Sequence, residues 1–178
     1  MLKHTIKQST KRRDYVSTYN SYPSDYDAAL FGGFFITFLI VIIALGVVSY
    51  LITAIIYFVT SKTNGLGEIA FWSWIPLVNV YALFALGSTK TSIEEIKKEA
   101  LKFLLIYIGL TIISFIPFIG ILSSIAMVVI GVYFMYRLFY RWTGESGTAI
   151  LFIVLSIITG SIFFYIYGLI KMKQPFVA

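Results

Sequence analysis

Chemistry needs a nucleophile with its base, a cluster of metal ligands or a charge held out of water, so the ionisable and hydroxyl side chains are placed first. The 178-residue chain has no cysteine and a single histidine, His4, in a polar segment. That excludes a disulfide framework, a thiolate metal site, a catalytic thiol and a His-Glu-x-x-His metal centre. Ser114, Ser123, Ser124, Ser156 and Ser161 stand in uncharged stretches without a histidine or lysine to act as base. Glu94-Glu95 invites one comparison, because a Glu-Glu pair followed by arginine and later by histidines opens one type of membrane hydrolase. Position 99 is glutamate and the histidines are absent, so the pair reads as the solvated, capped start of a helix. The expectation is therefore no catalytic residue, no metal and no cofactor.

One amide side chain stands out inside apolar sequence. Asn79 lies in Trp74-Ile75-Pro76-Leu77-Val78-Asn79-Val80-Tyr81. It reads as a structural partner for the backbone carbonyl freed by Pro76, or alternatively as a pore-lining group. The hexads Ile75-Pro76-Leu77-Val78-Asn79-Val80 and Ile116-Pro117-Phe118-Ile119-Gly120-Ile121 echo one another. Proline cannot continue a helix, and Asn and Gly both tolerate left-handed backbone, so Pro76 with Asn79 and Pro117 with Gly120 are predicted helix breaks. Gly120 is the residue predicted to take the left-handed conformation, in a tight turn between antiparallel helices.

The elements that carry these residues follow from composition. The chain is 59% hydrophobic and 12% charged, against about 25% charged in an ordinary soluble domain, and its mean hydropathy is +0.89. One small globule cannot hide that much apolar surface from water, so the predicted solvent is lipid. Uncharged intervals cover residues 28–61, 69–89, 103–136 and 146–170. About 20 apolar residues cross a hydrocarbon core of about 30 Å, and the third interval is long enough to be folded in two at Pro117. The predicted fold is an all-α integral membrane bundle, residues 31–171, with five spans near 34–59, 70–88, 103–118, 120–136 and 148–170. The 70–88 segment reads as spanning, with a re-entrant course as the alternative. Residues 1–30 read as a polar, Tyr-rich, disordered tail and 172–178 as a short carboxy-terminal tail.

Between the second and third spans, Ser92 and Glu95 have capping-box spacing, Glu94 and Lys98 form an i, i+4 pair, and Ile93, Ile96, Ala100 and Leu101 share a face. This predicts an interfacial amphipathic helix from Ser92 running into the third span. Arg137 and Arg141 are expected to snorkel, with Tyr136, Phe139, Tyr140 and Trp142 at headgroup depth. Five spans divide the 14 basic residues 11 against 3, with Lys3, Lys7, Lys11, Arg12, Arg13, Lys90, Lys97, Lys98, Lys102, Arg137 and Arg141 on one side. The positive-inside rule then predicts a cytoplasmic amino terminus in a cell membrane. The first apolar stretch is too long and begins too late for a removable signal peptide and reads as a retained anchor. Lys11-Arg12-Arg13 beside Asp14 reads as a topogenic or anionic-lipid contact, with no nucleic-acid partner. Gly120 with Ser124, and Ser156 with Gly160, are spaced to form close-packing helix faces.

Several of these segments together carry a resemblance. Asp25-Tyr26-Asp27-Ala28-Ala29 after a tyrosine-rich start, one long span, Ile75-Pro76-x-x-Asn79-x-Tyr81, the second break at Ile116-Pro117, and Arg141-Trp142-Thr143-Gly144-Glu145-Ser146-Gly147 before the last span resemble a family of small bacterial multi-span membrane proteins of unknown function. The resemblance implies a multi-pass architecture in a bacterial plasma membrane and no activity. The functional expectation is a non-enzymatic protein acting by association with the lipid bilayer, a membrane protein partner or itself as a homo-oligomer. One alternative is a small oligomeric channel or facilitator for an uncharged solute, lined by Asn79, Thr111, Ser114, Ser123, Ser124 and Thr159. Another is protection against a bacteriocin or phage.

Overall fold

A computed structural model describes residues 25–178, with side chains from residue 29 onward. Most of the tail, including Tyr15, Tyr19 and Tyr22, lies outside the described residues. All regular structure among the described residues is helical: α1 (Asp25–Thr63), α2 (Gly67–Ala70), a 3-10 turn (Phe71–Trp74), α3 (Asn79–Leu86), α4 (Ile93–Ile113), α5 (Ile119–Thr143), α6 (Ser146–Ile158) and α7 (Ile162–Lys171). Residues 25–30, placed in the tail by their composition, are already helical.

The described residues fall into two compact units, one ending at Val47 and one covering Val48–Ala178. In the first, every described side chain from 29 to 47 is exposed. Phe34 and Phe38 stack with ring centroids 6.3 Å apart, and the Thr37 hydroxyl donates to the Gly33 carbonyl at 2.9 Å.

In the second unit, aromatic rings build the core. Phe84 of α3, Phe103 of α4 and Phe134 of α5 meet, with centroids 4.7 Å apart for Phe84–Phe134 and for Phe103–Phe134. Phe139 is fully buried among Phe152 of α6 and Phe163, Phe164 and Tyr167 of α7. Glycines leave room for close approach: a Cβ on Gly87 would lie 2.8 Å from the Phe134 carbonyl oxygen, and one on Gly168 would lie 2.8 Å from the Ile56 side chain. Phe139 and Trp142, expected in a headgroup belt, are core residues instead. They follow the face of α5 that meets α6 and α7, and interior contacts outweigh an aromatic residue's preference for the interface.

Two stretches expected as single spans are broken. Residues 70–88 contain the 3-10 turn, a bend at Pro76 and the eight-residue α3, only about 12 Å long. Residues 148–170 split into α6 and α7, because Gly160 (φ +58°) and Ser161 (φ +73°) are both left-handed. The Ser161 N–H bonds the Ser156 carbonyl at 2.7 Å, closing α6 with a Schellman-type turn. Thr159 Oγ1 accepts from the Phe163 N–H at 3.0 Å and starts α7.

The two Ile-Pro hexads share one hydrogen bond and close differently around it, the Val78 N–H bonding the Ile75 carbonyl at 3.1 Å in the first and the Ile119 N–H bonding the Pro117 carbonyl at 2.8 Å in the second. In each, the N–H three residues after proline bonds the carbonyl before it: Asn79 to Ile75 at 2.9 Å and Gly120 to Ile116 at 2.7 Å. The left-handed residue is the one directly after proline, Leu77 (φ +66°) or Phe118 (φ +65°). This corrects the expectation for Asn79 and Gly120, which instead open α3 and α5. Glycine at position 120 is required for space, because a Cβ there would lie 2.3 Å from the Ser114 carbonyl oxygen. The resulting turn sends α5 back antiparallel along α4, joined where the Ser123 hydroxyl donates to the Leu110 carbonyl.

Helix α4 starts directly after Ser92, which has extended backbone (ψ 136°), but no side-chain cap forms there. Ile96, Ala100 and Leu104 make its buried face, while Ile93 and Leu101 are exposed. The amphipathic face is thus rotated from the expected one, with positions 96, 100 and 104 at uniform i, i+4 spacing toward α3 and α5.

Candidate functional site

The polar groups concentrate at one end of the second unit, where several helix ends meet. Lys97 of α4 pairs with Glu68 of α2 rather than with a neighbour on its own helix. The Glu68 hydrogen bond holds the Lys97 ammonium pKa above the usual lysine value. No Glu94–Lys98 ion pair occurs among the described residues. Ser88, buried after α3, donates to the Glu99 carboxylate, and its oxygen accepts from the Lys90 N–H at 3.1 Å.

Arg141 is the hub of this end. Its Nη1 donates to the Leu86 carbonyl at the end of α3, 3.0 Å away. Its guanidinium carbon lies 4.1 Å from the centre of the Phe176 ring, and its own carbonyl accepts from the Val177 N–H at 2.8 Å. The Phe176 N–H in turn donates to Asn64 Oδ1 at 2.7 Å. Asn64 Nδ2 donates to the Thr60 carbonyl at 2.8 Å, and the Thr63 hydroxyl donates to the Met172 carbonyl at 3.1 Å. The carboxy-terminal segment therefore ties the end of α1 to the end of α5, and Arg141 ties both to α3. Arg141 is an engaged, half-buried residue here, not a freely snorkelling one; its partners come from positions 86, 176 and 177, far away in sequence. Sequence reasoning missed Ser88, Asn64 and Phe176 for the same reason, since none carries a local motif.

Beside this hub, an open depression is lined by Lys90, Glu95, Lys98, Glu99, Lys102 and Phe103. A second depression, at the Pro117 turn, is lined by residues that include Ser114, Pro117, Phe118, Gly120 and Ser124.

The residues predicted to line a polar pore do not converge. Thr111, Ser114, Ser124 and Thr159 donate to carbonyls of their own helices at 2.6–2.8 Å, and Ser123 donates across to Leu110. Of the six, Ser114 and Ser124 alone line the turn depression. Asn79 is half-buried, and its side chain forms no hydrogen bond among the described residues, so the expected bond to the carbonyl freed by Pro76 is not made. The small-residue pairs also play other parts. Ser124 is exposed and bonds Gly120 within α5. Ser156 is buried and bonds Phe152 at 2.7 Å, while Gly160 forms the α6–α7 break. Among the described residues there is no group of three or more His, Cys, Asp or Glu side chains placed to hold a metal ion.

Neither known protein families, nor curated proteins, nor solved structures give a match to this chain.

Two helices are long and apolar enough to cross a membrane: residues Ala29–Thr63 of α1, with mean hydropathy 2.9, and α5, with mean hydropathy 2.1. The core helix of a soluble protein passes the same test but is buried, whereas the most apolar windows of these two are 11% and 17% buried.

Proposed function

We propose that the chain is a multi-pass protein of a bacterial plasma membrane that works without catalysis, by association with lipid, a membrane protein partner or copies of itself. The observation that carries this reading is the combination in α1 and α5 of high hydropathy with little burial. Water tolerates no such surface, and lipid requires it.

The crossing pattern best supported has three passes and two half-depth excursions. Helices α1 and α5 extend about 58 and 37 Å at 1.5 Å per residue, enough to cross; in α4 the first turns, with Glu94 to Lys102, lie at headgroup depth, and the uncharged stretch from Phe103 through Phe118 rises about 24 Å, which crosses with local thinning of the bilayer. The excursions are residues 66–86 and the α6–α7 hairpin, whose helices of 13 and 10 residues are each shorter than the hydrocarbon core. Five alternating passes put residue 64 and residues 172–178 on the side opposite residues 86 and 141. Arg141 bonds Leu86 and Val177, and Phe176 bonds Asn64, which favours a single side for all four. Lys62, Lys90, Lys97, Lys98, Lys102, Arg137, Arg141, Lys171 and Lys173 then share that side, and the positive-inside rule assigns it to the cytoplasm. The five basic residues of the tail lie at least 16 positions before Ala29, where their topogenic weight fades. An α1 that crosses once carries the amino terminus to the outer side, the reverse of the orientation expected from five spans.

Single cysteines test this directly, since the chain has none. In intact cells an impermeant maleimide is expected to label Phe118→Cys and to leave both Ser92→Cys and Gln174→Cys unlabelled. Labelling at 174 but not at 92 restores five passes. Release of the chain from membranes by alkaline carbonate refutes the membrane assignment itself.

A further inference from the structure

The geometry points to a binding site for one anionic phospholipid on α4, with its phosphodiester held by Lys90, Lys98 and Lys102 and an acyl chain lying along Leu105, Gly109 and Ile112. This rests on the membrane reading above and adds a ligand to it.

The depression beside Ser88 and Glu99 brings together three lysines from two segments, the loop before α4 and one face of its first turns. Among the described residues the single ion pair is Lys97–Glu68, so Lys90, Lys98 and Lys102 have no carboxylate within salt-bridge distance. Glu99 is occupied by the Ser88 hydroxyl. Three lysines against Glu95 and Glu99 leave a net lining charge of +1, which matches a singly charged phosphodiester better than a phosphate monoester of about −1.5 to −2.

The apolar part of the site continues the same helix face. Lys98, Lys102, Leu105, Gly109 and Ile112 recur at spacings of three and four and form one stripe. Lys98 and Lys102 are exposed, as are Leu105 (62%) and Ile112 (66%). A Cβ on Gly109 would meet nothing within 4 Å, so the stripe has a shallow saddle at its middle. From Lys102 to Ile112 the helix rises about 15 Å, half of a hydrocarbon core of about 30 Å and so the depth of one leaflet. Phe103 lies where the charged lining meets the apolar run. A ligand that meets both parts needs a phosphate at one end and a hydrocarbon chain at the other.

The test uses the purified full chain in neutral detergent, titrated with an acyl-labelled phosphatidylglycerol and, separately, with the matching phosphatidylcholine. Tighter binding of the anionic lipid is expected. Replacing Lys90, Lys98 and Lys102 together by glutamine should weaken that binding about fivefold per lysine, on the order of a hundredfold for three. The equally charged control lacking Lys62, Lys171 and Lys173 should lose less than about fivefold. Gly109→Phe leaves the lysines in place and fills the saddle, so it should also weaken binding. Equal losses in the two triple variants would show diffuse attraction and overturn the site. Full competition by inorganic phosphate, or an unaltered Gly109→Phe variant, would assign the lysines to a free anion and overturn the lipid. A chain that resists carbonate extraction yet binds both lipids alike overturns this site alone, whereas a chain released by carbonate overturns the membrane reading with it.

Discussion

Replacing Gly120 by alanine separates two reasons for a glycine in the Pro117 turn. If left-handed backbone were required, asparagine would serve nearly as well as glycine. The structure gives a steric reason instead. A Cβ at 120 would lie 2.3 Å from the Ser114 carbonyl oxygen and 3.0 Å from its carbon, where real Cβ contacts under 3.0 Å essentially never occur. Roughly 0.7 Å of separation must be opened between two backbone segments. Both are held: the Ser114 N–H bonds Leu110 at 2.9 Å, and the Gly120 N–H bonds Ile116 at 2.7 Å. Overpacking costs about 1–3 kcal/mol, and with backbone on both sides about 3 kcal/mol is expected for Gly120→Ala, with Gly120→Asn no better. Gly160→Ala meets nothing within 4 Å but must adopt φ +58°, so its cost is about 1–2 kcal/mol. Gly131→Ala also meets nothing, lies inside α5, and should equal or exceed the parent by up to about 1 kcal/mol. Equilibrium unfolding in mixed micelles with increasing dodecyl sulfate, followed by far-ultraviolet circular dichroism, gives the order. A Gly120→Asn variant that unfolds with the parent would refute the steric argument.

Phe118→Gly is expected to raise stability by about 1 kcal/mol in the same assay, because Phe118 is 88% exposed and left-handed and glycine relieves that strain without losing packing. Arg141→Gln should cost about 2–4 kcal/mol by removing the bond to Leu86 and the stacking on Phe176, while Lys97→Gln, at an exposed pair, should leave the midpoint unmoved. Asn64→Ala should cost about 1–2 kcal/mol and, by releasing the Phe176 N–H, speed the removal of residues 174–178 by carboxypeptidase.

Composition alone pointed to helices, two of them long and apolar enough to cross a membrane, because an uncharged run of 20 or more apolar residues has few other stable solutions. It also located both Ile-Pro breaks and the start of α4 after Ser92, since proline lacks an N–H and charge stops where an apolar run begins. Which residue in each break turns left-handed was not legible: Leu77 and Phe118 carry the strain because the turn geometry places it directly after proline, against their own preference. Helix continuity was misread for the same kind of reason. Residues 148–170 have the hydropathy of one span, but Thr159, Gly160 and Ser161 supply a Schellman-type turn and a cap, and nothing in their apolar neighbours signals that these will be used. Arg141 shows the limit most clearly. Its charge and aromatic neighbours mark an interface, yet its partners Leu86, Phe176 and Val177 lie 35 to 55 positions away. Only when α3, α5 and the carboxy-terminal segment are packed together do those groups meet, because hydropathy records the depth a residue prefers and not the neighbours it finds there.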